Sequence, residues 1–336
     1  MIDTRGLVLG KFAPLHQGHQ YVIETALAEM DEVVLMIYDC PEDTAVPLPV
    51  RSNWLRTIYP TIEIIEAWDG PTEVGDTPTI KEKHEIYILK QLRSKKITHF
   101  YSSEFYGEHV SKALGAVNRL VDGERKKIPI SGTQVRKDPF KFRHYLHPYV
   151  YRDLITNVVF LGAPSTGKTT IASRLAQEYN TVWMPEYGRE YWEIHQIERR
   201  LSLEQLVEIA EGHLAREEIL LQQASQYLFT DTNAITTYQF SRYYHDSVAL
   251  TLTELAQQAA SRYDLVFVCD TDIPYDNTWD RSDEANRDAL QKQLLNYLLV
   301  NKISFFQLSG NLNTRVSTVK SILSQYQKYV FSPSTN

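Results

Sequence analysis

Residues 155–169 read Ile-Thr-Asn-Val-Val-Phe-Leu-Gly-Ala-Pro-Ser-Thr-Gly-Lys-Thr, an apolar segment that runs into a glycine-containing loop. The loop, residues 162–169, matches the full pattern G-x-x-x-x-G-K-[ST]. Its glycines allow a tight turn whose backbone N–H groups face a phosphate chain, and the N-terminus of the following helix adds partial positive charge. Because the motif lies between a predicted strand and a predicted helix, it predicts a phosphate-binding loop (P-loop) in an α/β domain and not a chance glycine turn.

The side chains of this P-loop indicate how it would hold ATP. Lys168 can reach the β- and γ-phosphates, and the Thr169 hydroxyl can bind Mg²⁺. We therefore expect Lys168 to be catalytic and Thr169 to be a metal ligand. The predicted ATP site of this half comprises Gly162, Ala163, Pro164, Ser165, Thr166, Gly167, Lys168, Thr169 and Thr170.

A P-loop also requires a carboxylate on its metal side. Tyr-Leu-Phe-Thr-Asp at residues 227–231 is an apolar segment that ends in an aspartate. Asp231 is therefore a candidate for two roles: it can hold Mg²⁺ through water, or it can act as a general base toward an acceptor hydroxyl. The alternative is that Asp231 only caps the next turn.

Two further charged segments follow predicted strands of this half. Glu186 begins Glu-Tyr-Gly-Arg-Glu after a strand, where α/β sheets bind ligands and where a carboxylate can hold ribose hydroxyls. Arg281 and Arg287 follow the predicted strand 265–270 and a proline-containing loop, where small-molecule kinases often carry mobile arginines over the transferring phosphate. The alternatives are a solvated helix start for Glu186 and a surface helix of mixed charge for the arginines.

The first half of the chain has its own strand, glycine turn and helix. Residues 10–19, Gly-Lys-Phe-Ala-Pro-Leu-His-Gln-Gly-His, place His16 and His19 on either side of Gly18 at the start of a predicted helix. Two imidazoles at a helix N-terminus can neutralise the charge that builds on an attacked phosphorus and on departing pyrophosphate, and Gly18 lets the backbone approach the nucleotide. The alternative is a pair of capping or surface histidines.

A second motif lies near the end of the same half. Ile-Ser-Gly-Thr-Gln-Val-Arg at residues 130–136 places Ser131 and Thr133 where they can cap a helix and donate to phosphate. Arg136, one turn later, can add a charge-assisted contact. Alone the motif is typical of any capped helix, but together with the histidine motif it indicates a nucleotide site.

Strand-like and helix-like segments alternate in both halves, which predicts an α/β protein with two parallel, helix-covered sheets. The expected domains are residues 1–150 and 151–336, since the second strand–P-loop–helix unit begins after residue 153. Further strands are expected at 32–38, 61–67, 97–102, 181–184, 226–231, 264–270 and 302–308. Further helices are expected at 79–93, 203–223, 251–262 and 284–301.

The charge, the cysteines and the apolar segments of the chain limit the expected ligands and the expected location of the protein. The formal charge is −7 with a pI near 5.8, so we expect small-molecule phosphates as ligands and not nucleic acid. Cys40 and Cys269 have no neighbouring cysteines at zinc-like spacing, which favours free thiols in a reducing cytoplasm. Residues 1–12 lack the apolar core of a signal peptide, and no apolar segment approaches the ~20 residues of a membrane span. We therefore expect a cytoplasmic protein without membrane insertion.

The two motifs of the first half, H-x-G-H and I-S-x-T-x-x-R, resemble those of the nucleotidylyltransferase superfamily, whose members have a Rossmann-like fold. The longer stretches GKFAPLHQGH and ISGTQVRKDPFKFRHYLHPYVYRDL are similar to nicotinamide mononucleotide (NMN) adenylyltransferases of the bacterial NadR type. That family joins such a domain to a P-loop ribosylnicotinamide kinase, and GAPSTGKTT, PEYGREYW, TDTNAITTYQF and DIPYDNTWDRSDEANR resemble its second half. The resemblance covers roughly residues 5 to 325.

The resemblance implies roles for individual residues. His16 and His19 would be catalytic, stabilising the transferring adenylyl phosphate, and Trp54 would lie near the nicotinamide ring. In the kinase half, Asp231 would activate the riboside 5′-hydroxyl or hold the metal. The riboside would be bound by Glu186, Tyr187 and Arg189. The ATP site of the first half would comprise Gly10, Lys11, Phe12, Gly18, Ser131, Thr133 and Arg136.

The resemblance further implies a salvage enzyme that uses ATP and Mg²⁺ to convert nicotinamide riboside into NMN and then NMN into NAD. Two departures are visible. The first strand begins near residue 6, so we expect no helix-turn-helix before it. In addition, Asn-Thr-Trp-Asp at 277–280 precedes Arg281, whereas the family has a short D-G-L-R form there. Two alternatives stay open: the same folds acting on another nucleoside or nucleotide, or a nucleotide-sensing regulator of a partner such as a riboside transporter, with one active domain.

Overall fold

The computed structural model describes residues 4–73, 75, 77–104, 107–198, 200–275 and 284–329. The chain forms two compact units: the first reaches Tyr151 and the second spans Arg152–Lys328. In the part of the chain that is described, no helix combines the length and apolar character that a bilayer crossing requires.

The first unit is a five-stranded parallel sheet with helices between its strands, in the order β3-β2-β1-β4-β5. β1 and β2 are buried along almost their whole length, as expected for central strands covered on both faces. Its elements are β1 Arg5–Gly10, α1 Gln17–Glu29, β2 Glu32–Tyr38, α2 Leu48–Ile58, β3 Glu63–Ala67, α3 Pro78–Leu92, β4 His99–Ser102, α4 Gly107–Leu114, β5 Val117–Leu120, α5 Gly132–Lys137, a 3₁₀ turn Arg143–Tyr145 and α6 Pro148–Leu154.

The second unit is a second five-stranded parallel sheet, in the order β10-β9-β6-β8-β7. Its central strand is buried at all six residues, and two apolar clusters pack on the two faces of the sheet. Its elements are β6 Thr156–Leu161, α7 Lys168–Glu178, β7 Trp183–Met184, α8 Tyr187–His195, α9 Leu203–Leu221, β8 Tyr227–Asp231, α10 Ala234–His245, α11 Leu250–Arg262, β9 Leu265–Cys269, α12 Glu284–Val300, β10 Phe306–Leu308 and α13 Leu312–Gln325.

The strand order places a ligand crevice in each unit. In the first sheet the chain moves outward from β1 to β2 and β3, and then returns to the other side of β1 with β4. In the second sheet β6 likewise lies between β8 and β9. Because parallel α/β sheets bind ligands beyond the carboxyl ends of the strands at such a reversal, the loops after β1 and β6 are the expected site-forming loops. The histidine motif follows β1 and the P-loop follows β6.

The α/β class and the two parallel sheets expected from the sequence are confirmed. The expected strand at 302–308 is shorter, because Lys302 adopts a left-handed φ of 55° and the Ile303 N–H bonds the carbonyl of Leu298 at the end of α12. The strand β5 was not expected, since Val117–Leu120 is an exposed edge strand without an apolar pattern.

Candidate nucleotide sites

The first unit has a cavity of about 710 Å³ at the carboxyl ends of β1 and β4. It is lined from the loop after β1, from the segment after β2 and from the start of α5. The predicted ATP-site residues that line it are Gly10, Lys11, Phe12, Ser131, Thr133 and Arg136, and the predicted catalytic residue His19 lines it as well, whereas Gly18 does not. The structure therefore brings the two ends of this unit's sequence, the histidine motif and the serine motif, to one cavity.

The two histidines form a stacked pair at the start of α1. Their ring centroids are 3.7 Å apart and their planes differ by 18°. His19 lines the cavity, whereas His16 is buried behind it, with an Nδ1 atom that has no hydrogen-bond partner among the described residues. A β-carbon at Gly18 would lie 3.0 Å from Cε1 of His16, so a larger residue here would press on the His16 ring.

The histidine pair is electrically neutral at pH 7. Burial, and then the positive charges of Arg125 and Arg136, lower the pKa of His16 to about 4. Burial and the neighbouring His16 likewise lower the pKa of His19 well below its usual value. Each neutral ring therefore offers one N–H donor, and an anionic ligand would favour protonation of the pair.

Two cations of this cavity are paired with carboxylates of the segment after β2, and a third, Arg125, lies 2.9 Å from Glu104 after β4. The Lys11 ammonium contacts Asp43 and lies 3.1 Å from Glu42, and an Arg136 Nη2 atom lies 3.7 Å from Asp43. Burial acts against the charged form, but the bonds to Asp43 and Glu42 outweigh it and raise the pKa of Lys11. Glu42 and Asp43 were not predicted as site residues, although their position after a central strand could have indicated them.

The serine motif forms the start of α5. The Ser131 hydroxyl oxygen accepts from the Gln134 N–H at 3.3 Å, which makes Ser131 the N-cap. Arg136 donates to the Ala13 carbonyl at 2.6 Å and to the Thr133 hydroxyl at 3.3 Å. Arg136 thus joins the serine motif to the loop after β1, with its guanidinium at the cavity wall.

Trp54 does not have the place implied by the resemblance. Its side chain is fully buried on the inner face of α2 and it does not line the cavity. Two neighbours on α2, Arg51 and Leu55, are also fully buried, so this face of the helix is part of the unit's core. The role expected for Trp54 at the nicotinamide ring needs a rearrangement that this structure does not contain.

The second unit has a cavity of about 660 Å³ around the P-loop. Gly162 and Gly167 have φ of 145° and 81°, which other residues rarely adopt, and a β-carbon at Gly162 would lie 2.7 Å from the Cys269 carbonyl. The P-loop residues that line this cavity are Gly162, Pro164, Ser165, Thr166, Gly167, Lys168, Thr169 and Thr170. Ala163 belongs to the loop without lining the cavity; its carbonyl accepts from Lys168 Nζ at 3.0 Å.

Asp231 lies directly behind the P-loop threonine. Its Oδ2 accepts the Thr169 hydroxyl hydrogen, while its Oδ1 has no hydrogen-bond partner among the described residues. The carboxylate is fully buried, and burial together with the negative charge of Glu186 raises the pKa of Asp231 to about 6, against the opposing effect of Lys168. Since Thr169 donates to Asp231, its lone pairs are available to a metal ion.

The residues expected to bind the acceptor divide into two groups. Glu186 and Arg189 line the cavity, with 3.7 Å between carboxylate and guanidinium. Tyr187 lies elsewhere than expected: its ring does not line the cavity but packs on α9, where a β-carbon at Gly212 would lie 2.3 Å from it. The Arg216 guanidinium lies over the same ring, 4.1 Å from its centroid. The cavity-lining residues that the sequence did not indicate include Trp192, Arg200, His213, Asn233, Phe240 and Tyr244.

Of the two arginines expected to contact the transferring phosphate, only one lies among the described residues. Arg281 lies outside the described residues. Arg287 is buried on α12, does not line the cavity, and donates to two backbone carbonyls, those of Ile273 and Ser165. In this structure Arg287 supports the P-loop from behind, which corrects the expectation of a mobile phosphate contact.

Two curated proteins are similar to nearly the whole chain. The chain is 30% identical over 334 residues to the trifunctional NAD biosynthesis/regulator protein NadR of Escherichia coli, covering 91% of this chain and 78% of that protein. The NadR protein of Salmonella typhimurium is 31% identical, over 89% of this chain and 77% of that protein. The chain belongs to the NadR family. Within this NadR-family chain, residues 157–315 match the family model described as an AAA domain.

Other relatives match one half or the whole fold. A probable nicotinate-nucleotide adenylyltransferase of Thermotoga petrophila is 24% identical over 163 residues, 39% of the NadR-family chain and 83% of that protein. Crystal structures of NadR protein with NAD and AMP-PNP, and with NR, superpose with TM-scores of 0.56 and 0.58 at 22% and 23% identity. They cover 99% of this chain and 98% of theirs, and at this identity they show the fold alone.

Proposed function

We propose that this NadR-family chain converts nicotinamide riboside into NAD in two ATP-dependent steps. The second unit would transfer the γ-phosphoryl group of ATP to the riboside 5′-hydroxyl, giving NMN and ADP. In the first unit the NMN phosphate would attack the α-phosphorus of a second ATP, giving NAD and pyrophosphate. The observation that carries the proposal is that each unit has its own cavity at the reversal point of its own sheet, with phosphate-binding groups at one end.

In the kinase step the P-loop would hold the β- and γ-phosphates with backbone N–H groups and Lys168. Mg²⁺ would neutralise charge on the same phosphates when bound. The donor set fits a hard cation, since the Thr169 oxygen lies beside the loop with the Asp231 Oδ1 atom, which no described residue hydrogen-bonds. Because Asp231 is fully buried and bonded to Thr169, we assign it to the metal side and not to the acceptor hydroxyl.

The acceptor end of the second cavity suits a riboside with a flat, cationic ring. Glu186 lines it and can accept from ribose hydroxyls. Trp192, Phe240 and Tyr244 also line it, and aromatic faces attract a positively charged pyridinium. These lining residues support nicotinamide riboside as the acceptor.

In the adenylyl-transfer step the first unit needs no nucleophile of its own, because the NMN phosphate is the attacking group. Lys11 and Arg136 would bind the triphosphate after exchange of their carboxylate partners. His19 would donate to the phosphoryl oxygens, with its orientation fixed by the stacked His16. Positioning and charge neutralisation would then supply the rate enhancement.

The test is a chromatographic assay of the purified chain with nicotinamide riboside, excess ATP and Mg²⁺. Successive appearance of NMN and NAD supports both activities. Accumulation of NMN without NAD would leave the kinase in place and give the first unit another acceptor. NAD formation from supplied NMN, with none from riboside, would assign the P-loop unit to another nucleoside or to a regulatory role.

A further inference from the structure

Three buried polar side chains contact the P-loop backbone from the side opposite the cavity. Arg287, Gln291 and Arg315 have exposed fractions of 4%, 5% and 3%. None of them lines the cavity around the P-loop. They come from two helices, α12 and α13, that lie more than 100 residues after the P-loop in the sequence.

Arg287 joins the P-loop to the segment after β9. Its Nη2 donates to the Ser165 carbonyl at 2.9 Å and its Nη1 to the Ile273 carbonyl at 3.0 Å. One turn further along α12, Gln291 accepts from the Ala163 N–H at 2.8 Å and donates to the Cys269 carbonyl at 3.0 Å. The first half of the P-loop is therefore attached to α12 at two points.

Arg315 makes the corresponding contacts from α13. Its Nη1 donates to the Thr166 carbonyl at 2.6 Å and its Nη2 to the Asp270 carbonyl at 3.1 Å. Its Nε donates to Gly310, and its guanidinium is paired with Asp272. The guanidinium is thus fixed in place by the segment after β9 and by the residues that precede α13.

The carbonyls that Arg287 and Arg315 hydrogen-bond determine where the backbone N–H groups of the P-loop point. In a trans peptide group the C=O and the N–H of the next residue point in opposite directions. Because the Ser165 and Thr166 carbonyls are held behind the loop, the N–H groups of Thr166 and Gly167 face the other way, toward the cavity that both residues line. Ser165 has a φ of 60°, a conformation that is costly for a residue with a side chain and needs such support.

We propose that Arg287 and Arg315 are positioning residues of the kinase site, which hold the P-loop in its phosphate-binding conformation before the nucleotide arrives. They act through the backbone of Ser165 and Thr166 and not by closing over the transferring phosphate. The proposal rests on nucleotide binding at the P-loop, which is part of the proposed function, but it does not depend on which nucleoside is the acceptor.

The test compares Arg287→Met and Arg287→Lys with the unchanged chain in calorimetric titrations with ADP and Mg²⁺. Lys168→Ala identifies the binding event that belongs to the P-loop. Arg287→Met leaves both carbonyls without their donor, so we expect ADP to bind roughly tenfold or more weakly at that site. Lysine can reach one carbonyl but not both, so Arg287→Lys should recover part of the loss. The exposed Lys292→Ala on the same helix is the matched control and should bind ADP normally.

Kinetics separate positioning from direct catalysis. For Arg287→Met we expect a raised KM for ATP in riboside phosphorylation, little change in kcat at saturating ATP, and an unchanged KM for ATP in NAD formation from supplied NMN. A fall in kcat with normal ADP binding would make Arg287 a contact of the transferring phosphate and overturn the proposal, as would wild-type behaviour in both assays. If the unchanged chain binds ADP but does not phosphorylate riboside, the proposed function fails while the titration still tests Arg287.

Discussion

Replacing Asp43 with asparagine should make ATP bind more tightly to the first unit. Asp43 is the common partner of Lys11 and Arg136, two of the cations that line the cavity of the first unit. A triphosphate must displace this carboxylate before it can use either cation. Asparagine keeps the shape of the side chain but removes the charge, so both cations lose the Asp43 carboxylate without a change in the size of the cavity, while Lys11 keeps Glu42 as a partner.

The size of the effect follows from how exposed the pairs are. The side chains of Lys11 and Asp43 are 41% and 31% exposed, and the Arg136 contact is long at 3.7 Å. Ion pairs in such surroundings contribute about 0.2–1 kcal/mol each. Removing both contacts to Asp43 lowers the free energy of ATP binding by about 1 kcal/mol, which corresponds to roughly a fivefold lower Kd.

The quantity to measure is the KM for ATP when NAD is formed from supplied NMN, at low ionic strength and with excess Mg²⁺. The advantage of Asp43→Asn should shrink as salt screens the pairs that it removes. Glu82→Gln, an exposed carboxylate on α3, is the control for a general change in net charge. A higher KM for ATP in Asp43→Asn would refute the reasoning, because it would mean that Asp43 serves the bound complex, for example through the metal ion.

Four further outcomes are expected. Lys168→Ala should abolish riboside phosphorylation but leave adenylyl transfer from supplied NMN, and loss of both activities would contradict two independent sites. His19→Ala should do the reverse, so an unchanged rate of NAD formation would remove His19 from the site. Asp231→Asn should slow riboside phosphorylation at least ~100-fold and raise the Mg²⁺ concentration for half-maximal rate; an unchanged Mg²⁺ requirement would argue for a base. The folded-state pKa of His16 is about 4, below its usual 6.5, so stability is lost as the pH falls through that window. His16→Asn should remove up to about 3 kcal/mol of this dependence in denaturant titrations, and equal slopes would refute it.

Features determined by local chemistry could be predicted from the sequence. The P-loop needs particular residues at particular spacing in one continuous segment, so its fold and its cavity could be inferred before the structure. The same holds for the buried strand at 32–38, which the structure has at Glu32–Tyr38. The strand Val117–Leu120 could not be inferred, because an exposed edge strand is defined by its pairing with β4 and not by a buried pattern.

Residues whose position depends on long-range contacts were predicted in the wrong place. Nothing in the sequence near Trp54 tells which face of α2 is inward, and this face also buries Arg51, whose guanidinium donates to the carbonyls of Tyr38 and Val46. Arg287 lies in a charged segment typical of a surface helix or a lid, yet its partners are carbonyls 122 and 14 residues away. A buried arginine that satisfies backbone carbonyls leaves no periodic signal in its own neighbourhood.

The two sites prepare for an anionic ligand in opposite ways. In the first unit the cations are held by carboxylates on the cavity side, so binding is an exchange of one anion for another and depends on the charges that are displaced. In the second unit Arg287 and Arg315 lie behind the loop and bind its carbonyls, so the N–H donors of Thr166 and Gly167 face the cavity. In the second unit the entropic cost of ordering the loop is already included in folding, which favours binding of the ligand. In the first unit the affinity depends on the carboxylate that the ligand displaces. Asp43 and Arg287 are therefore the residues at which the nucleotide affinities of the two units can be changed separately.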